Sequence, residues 1–225
     1  MNRVAFFHTT LNTPAYMKAR FAVKYPDVGL FNIVDDSVLG EVRENGCRHT
    51  SAIVRRLVAY GQIAQEQGAW VMMNMCTTLD EAVREAQKAL EIPFLSVDGP
   101  MLRQAVRMGK RVALLVTADT TIGPSGRAAK LIAAEEGRDV EIDVIHVEGA
   151  FAAITVENDR EKHDRLVVQA ASNAAREHDV IVLAQVTMAD VAPALASLPI
   201  PVLTSPESGL EQLRPYLEKD AGGNR

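Results

Sequence analysis

Cysteine is scarce: Cys47 and Cys76 are the two thiols in 225 residues. Two cysteines exclude a disulfide-stapled scaffold and a structural zinc site. Histidine is sparse too, five residues with no H-x-x-x-H spacing, so no metal centre is expected. No apolar run approaches the roughly 18–20 residues needed to cross a bilayer. Residues 1–10 carry one basic side chain and turn polar at His8, unlike a signal peptide. Without an export signal, both cysteines read as reduced thiols in the cytoplasm. Basic charge is not in excess: 24 Lys and Arg stand against 29 Asp and Glu, a formal net charge of −5. That balance argues against nucleic acid or an anionic membrane surface as a partner. Gly123-Pro124-Ser125-Gly126 lacks the Lys-Ser/Thr ending of a phosphate loop.

What is present is ordinary globular usage, 48% hydrophobic and 24% charged. Short β-branched apolar runs alternate with helical patterns. The pattern predicts strands at residues 3–7, 28–34, 70–75 and 94–97, with helices at 14–24, 50–67 and 79–90 between them. Ile53, Val54, Leu57, Val58 and Ile63 recur at helical spacing. Thr13 fits a cap, Pro14 a first helical turn and Gly68 a helix stop. A second series follows, with strands at 112–116, 140–147, 180–183 and 202–203 and helices at 124–136, 160–177, 188–196 and 210–217. Strands separated by helices imply parallel pairing through right-handed crossovers.

The two series share one grammar. In each, an opening strand runs into a threonine-bearing loop, His8-Thr9-Thr10 in the first and Thr117-Ala118-Asp119-Thr120-Thr121 in the second. In each, a later strand runs into a short polar turn, Asn74-Met75-Cys76-Thr77-Thr78 and then Ala184-Gln185-Val186-Thr187-Met188. The expected fold class is therefore α/β, two similar parallel-sheet domains facing each other.

Ligands of parallel α/β sheets bind outside the carboxyl ends of the strands, where these four segments lie. A cysteine at a strand end beside a helix N-terminus feels the positive end of the helix dipole. That placement lowers a thiol pKa from about 8.5 into a range of roughly 3.5–7.5. Cys76 is thus the candidate reactive thiol, an acid or base, against the alternative of a buried structural cysteine. Asn74, Thr77 and Thr78 lie in the same turn, and free amides there suit a carboxylate. His8 is a second candidate acid or base, or else a hydrogen-bonding partner of a neighbouring loop. Thr9, Thr10, Thr120 and Thr121 are candidate carboxylate ligands, or else capping threonines. Asp35 and Asp36 orient a catalytic group or cap a helix. Asp98 reads as a cap for a helix at Pro100, His163 as a helical residue with a surface or interface role, and Cys47 as incidental.

Six stretches carry a resemblance by their order and spacing. They are Val4-Ala5-Phe6-Phe7-His8-Thr9-Thr10, Asn32-Ile33-Val34-Asp35-Asp36-Ser37, Met75-Cys76-Thr77-Thr78, Asp98-Gly99-Pro100-Met101, Val147-Glu148-Gly149-Ala150-Phe151 and Val182-Leu183-Ala184-Gln185-Val186-Thr187-Met188-Ala189. Over almost the whole chain they resemble the aspartate/glutamate/hydantoin racemase superfamily. The resemblance implies two α/β domains with the active site in the cleft between them, a small carboxylate substrate and no cofactor. It implies a discontinuous first domain, residues 1–98 plus 205–225, around a second at 99–204. It also implies two thiols that move a proton on opposite faces of the α-carbon. The first maps onto Cys76. The place of the second maps onto Val186, which cannot transfer a proton, and the hydroxyl of neighbouring Thr187 is too weak an acid to replace it. Val186 and Thr187 then serve as substrate-lining residues. The expected activity is a cofactor-independent racemase or epimerase of an amino acid or hydantoin. The alternatives are a single-cysteine lyase, like the superfamily's arylmalonate decarboxylases, whose cysteine lies in the second domain, and a silent carboxylate binder. Homo-oligomerisation stays open.

Overall fold

The computed structural model describes residues 3–218. They form two compact units, residues 3–97 with 206–218, and residues 98–205. Unit 1 begins with β1 (Arg3–His8), α1 (Thr13–Lys24), β2 (Gly29–Val34), α2 (Val38–Glu44), α3 (Ser51–Glu66), β3 (Ala69–Asn74), α4 (Asp80–Gln87) and β4 (Phe94–Ser96). Its four strands are parallel in the order β2-β1-β3-β4. A parallel sheet covered by helices is buried on both faces, which is why its strands read as unbroken apolar runs. Ala5, Phe7 and Met72 pack with Val38, Ile53, Leu57 and Ala82. From the neighbouring position on β1, Phe6 meets Phe21 of α1 edge-on, ring centroids 5.4 Å apart.

Unit 2 contains α5 (Gly99–Met108), β5 (Arg111–Val116), α6 (Asp119–Glu135), β6 (Glu141–His146), α7 (Ala150–Thr155), α8 (Arg160–Ala174), β7 (Val180–Leu183) and β8 (Val202–Thr204). Its sheet is parallel in the order β6-β5-β7-β8. Alternate residues of β5 serve opposite cores: Val112, Leu114 and Val116 pack with Ile132 of α6, and Ala113 and Leu115 with Val167 of α8.

The chain then returns to unit 1 through α9 (Ser205–Glu211) and α10 (Arg214–Glu218). Leu210 and Leu213 are fully buried there. The Tyr25 hydroxyl donates to the Leu210 carbonyl at 3.0 Å, and Gln212 Nε2 donates to the Ser96 carbonyl at 2.7 Å. A Cβ on Gly209 would lie 2.7 Å from the Val97 carbonyl oxygen, so this close approach requires glycine.

Several elements depart from the sequence pattern. The helix expected from residue 124 starts at Asp119 and takes Pro124 inside it, so Thr120 and Thr121 are helical rather than loop residues. The last helix breaks in two where Pro215, in the first turn of α10, lacks an amide hydrogen to continue α9. Thr13 is the first residue of α1 rather than its cap; Asn12 holds that position without a side-chain bond. Residues 186–195 form a 3-10 run, not an α-helix. The short helices α2 and α7 had no sequence signal, being too brief for a helical period to register. Residues 219–225 of the expected tail lie outside the described residues.

Candidate active site

Unit 1 gathers its polar groups at the carboxyl ends of its strands. β3 ends at Asn74 and is followed by Met75, Cys76 and a 3-10 turn at Thr77–Leu79 that leads into α4. The Asn74 side chain is an internal staple. Its Oδ1 accepts from the Cys76 amide at 3.0 Å, while its Nδ2 donates to the Cys76 carbonyl at 2.8 Å and to Asp80 Oδ1 at 3.1 Å. Ser96 of β4 also donates to Asp80 Oδ1, at 2.7 Å. Asn74, expected as a substrate ligand, is fully buried with both ends of its amide engaged by the protein. Its contacts make it a frame for the Cys76 backbone.

The Cys76 thiol is buried beside the Thr9 and Thr78 hydroxyls, and the Thr78 hydroxyl has no hydrogen-bond partner among the described residues. Burial pushes its pKa above the ordinary thiol range; the Thr9 and Thr78 hydroxyls and the Thr78 amide pull the other way, and nearby Asp80 adds to the rise. The expected depression by the helix end is therefore corrected. The turn after Cys76 is a single 3-10 turn, and desolvation of a thiolate outweighs its dipole. Cys76 rests as a neutral thiol at neutral pH.

His8 is not brought to the thiol. Its ring is fully buried, with Nδ1 2.9 Å from Thr13 Oγ1 and Nε2 3.0 Å from Asn32 Oδ1. Burial pushes its pKa down to about 4, against the opposing hydrogen bond to Asn32. A neutral ring with both nitrogens engaged anchors β1 to α1 and β2. Thr10 bonds Thr13 at 3.2 Å. Asp35 binds the Ser37 amide at 3.1 Å, the Tyr60 hydroxyl at 2.8 Å and Arg56 at 3.0 Å. Burial opposes its charge, but the Ser37 and Tyr60 hydroxyls, the Ser37 amide and Arg56 together hold its pKa below the usual value. It organises the entry to α2, while Asp36 is exposed.

In unit 2 the Thr120 amide is taken by its neighbour Asp119 at 2.8 Å, and the Thr121 hydroxyl donates to the Ala118 carbonyl at 2.6 Å. Both threonines are buried in the first turn of α6, whose N-cap position, Ala118, makes no side-chain cap bond. Asp98 holds the N-cap position of α5 without a side-chain cap bond. His163, expected at a surface, is fully buried in α8 with Nδ1 2.7 Å from Asp164. Cys47 sits in a left-handed turn after α2, φ 59°, away from the strand ends. Among the described residues no cluster of three His, Cys, Asp or Glu is arranged to hold a metal ion, and no helix is long and apolar enough to cross a membrane.

The two units repeat in register. β1 pairs with β2 from Arg3↔Gly29 to His8↔Val34, and β5 pairs with β6 from Arg111↔Glu141 to Val116↔His146. Phe7 faces Asn74 as Leu115 faces Leu183. The Met75 amide donates to the Phe7 carbonyl at 2.9 Å, and the Ala184 amide to the Leu115 carbonyl at 3.0 Å. Cys76 and Gln185 then both take an extended conformation, and each opens a 3-10 segment. The counterpart of Cys76 is therefore Gln185. Val186, where the second thiol was expected, corresponds to Thr77 and is buried; Thr187 corresponds to Thr78 and is half-buried. The one-residue correction follows from the strand register, which a motif comparison does not see. The sequence pattern also passed over Asp80 and Ser96 as contributors to these loops. The N-x-C spacing of Asn74 and Cys76 was the signal available for the staple, since Asn side chains bond backbone two residues on.

A profile of Asp/Glu/Hydantoin racemases matches residues 23–213. The chain belongs to the Asp/Glu/Hydantoin racemase family. No curated protein sequence matches it significantly. Among solved structures, glutamate racemase from Bacillus anthracis is similar over 98% of this chain and 83% of its own, with TM-score 0.73 and 15% identity. An aspartate racemase homologue from Pyrococcus horikoshii is similar over 97% of this chain and 100% of its own, with TM-score 0.67 and 14% identity. A liganded variant of arylmalonate decarboxylase is similar over 100% of this chain and 96% of its own, with TM-score 0.64 and 21% identity. At these identities the likeness of structure shows a shared fold and no more than that.

Proposed function

We propose that the protein is a cofactor-independent isomerase, a racemase or epimerase of a small carboxylate such as an amino acid or hydantoin, with Cys76 as its acid–base group. The observation that carries this reading is the Cys76 loop: a thiol at a strand end, its backbone stapled by Asn74, with the Thr9 and Thr78 hydroxyls beside its sulfur. Family membership supports the racemase class. In the step, the Cys76 thiol first gives its proton to water, the thiolate takes the α-proton from one face, and the C–H electron pair moves into the adjacent carboxylate as an enediolate. Water delivers a proton to the opposite face of that carbon, the enediolate collapses to the acid, and the hydronium and hydroxide formed neutralise each other. Fixed hydroxyls near the sulfur stabilise the thiolate formed on the way.

A second reading is a lyase that decarboxylates a malonate-like acid. The raised thiol pKa favours it, because the resting group is a proton donor. The carbon–carboxylate bond breaks and carbon dioxide leaves. Its electron pair stays on the α-carbon as an enediolate, Cys76 S–H protonates that carbon, and water restores the thiol.

Incubation in deuterium oxide with amino acids, hydantoins and malonates separates these readings. α-Deuterium in recovered substrate marks an isomerase, carbon dioxide release a lyase, and thermal stabilisation without either a carboxylate binder. Wild-type turnover retained by Cys76→Ala would overturn the role given to the thiol.

A further inference from the structure

The strand register puts a carboxamide where unit 1 has its thiol, and this side chain is held in one orientation. Gln185 Oε1 accepts from the Thr117 amide at 2.5 Å and from the Thr117 hydroxyl at 2.9 Å. A backbone N–H can only donate, so the atom facing it is the oxygen, and the amide orientation is settled by chemistry. Nε2 is then turned away from Thr117, and among the described residues it has no hydrogen-bond partner. Thr117 follows β5 by one residue, as Thr9 follows β1. The Thr9–Cys76 pair of unit 1 thus reappears in unit 2 as Thr117–Gln185. Gln185 is half-buried, so its free N–H groups remain accessible.

We infer that Gln185 is a substrate-binding residue of unit 2, whose Nε2 donates a hydrogen bond to a carboxylate oxygen of the ligand instead of moving a proton. The inference rests on the carboxylate reading above and deepens it. A primary amide neither gives nor takes a proton near neutral pH, whereas a preoriented N–H donor favours an anionic oxygen. Thr117 sets the orientation and acts as a positioning residue.

Two substitutions and one probe test this. Gln185→Glu keeps an oxygen for both Thr117 donors and replaces the N–H donor with an anionic acceptor; Gln185→Leu removes both. Malonate affinity is read by calorimetry and by the shift in unfolding temperature, for wild type, both variants and Cys76→Ala. The expected result is at least ~10-fold weaker malonate binding in Gln185→Glu, as loss of a hydrogen bond to a charged group implies. Its ligand-free unfolding temperature should stay close to wild type, which separates binding from folding. Cys76→Ala should bind malonate within a few-fold of wild type while losing turnover. Equal malonate affinity in wild type and Gln185→Glu overturns the inference and leaves the function standing. Full turnover in Cys76→Ala overturns the thiol's role and leaves the Gln185 result standing. A wild type that binds none of malonate, aspartate and hydantoin overturns both.

Discussion

The loop after β3 and the loop after β7 leave their sheets through the same backbone bonds, and their side chains then diverge. In unit 1, Asn74, Asp80 and Ser96 form a buried polar frame around the backbone of Cys76. Counted in the same register, the equivalent residues of unit 2 are Leu183, Ala189 and Thr204. Leu183 and Ala189 have no polar side chain to build such a frame, and Gln185 is oriented through Thr117. His8 follows the same rule: its counterpart Val116 is apolar and joins the core. The difference teaches where this fold spends its buried polar groups. A proton carrier needs its backbone fixed, because misplacing the reacting atom by an ångström is costly in rate. A hydrogen-bond donor on a longer side chain needs one anchor.

The comparison breaks most sharply at the thiol. Cys76→Ala should lower turnover by ~10²–10⁴-fold, the usual weight of a general acid–base group, measured on whichever acid the deuterium screen identifies. Replacing Asn74 with its unit 2 counterpart, Asn74→Leu, should cost roughly 3 kcal/mol or more, because it leaves the Cys76 amide, the Cys76 carbonyl and the Asp80 carboxylate each short of a partner. Urea unfolding measures this, and an unchanged midpoint would remove the frame from the account.

A pH effect of comparable size belongs to His8. The unfolded chain takes up this proton near pH 6.5, whereas the folded chain does so only at about 4. Stability from the buried neutral ring is therefore complete above pH 6.5. It is lost as pH falls from 6.5 towards 4, by roughly 3 kcal/mol at most. Unfolding temperature against pH should decline through that window in wild type and decline less in His8→Val. The smallest effect is at the anchors. Thr117→Val removes one hydroxyl bond to Gln185 and keeps the amide bond, so about 0.5–1.5 kcal/mol of orientation is lost. Malonate affinity should fall by a few-fold there and stay near wild type in Thr10→Val, a control outside both loops.

The sequence made the strands legible because strands buried on both faces are continuous apolar runs. Residues 180–183 match β7 in full, and the other strands agree to within two residues at each end. The family was legible from six short stretches taken together. Cys76 was legible from its place at a strand end, but its protonation was not. The dipole of a helix end can be read from sequence, and the burial that outweighs it cannot. His8 and Asn74 looked like reacting or binding groups because they are polar residues at strand ends. Their partners Thr13, Asn32, Asp80 and Ser96 come from distant points of the chain and absorb them. Gln185 was hidden by a one-residue ambiguity between Gln185 and Val186, which only strand register resolves.

The most direct test of the thiol's state needs no substrate. Ligand-free protein is alkylated with iodoacetamide across a pH series, and modification of the Cys76 peptide is followed by mass spectrometry. Burial that holds Cys76 as a proton donor predicts a rate that keeps rising beyond pH 9. A rate that levels off below pH 8 would mean a resting thiolate, and would contradict the assignment of Cys76 as a protonated acid.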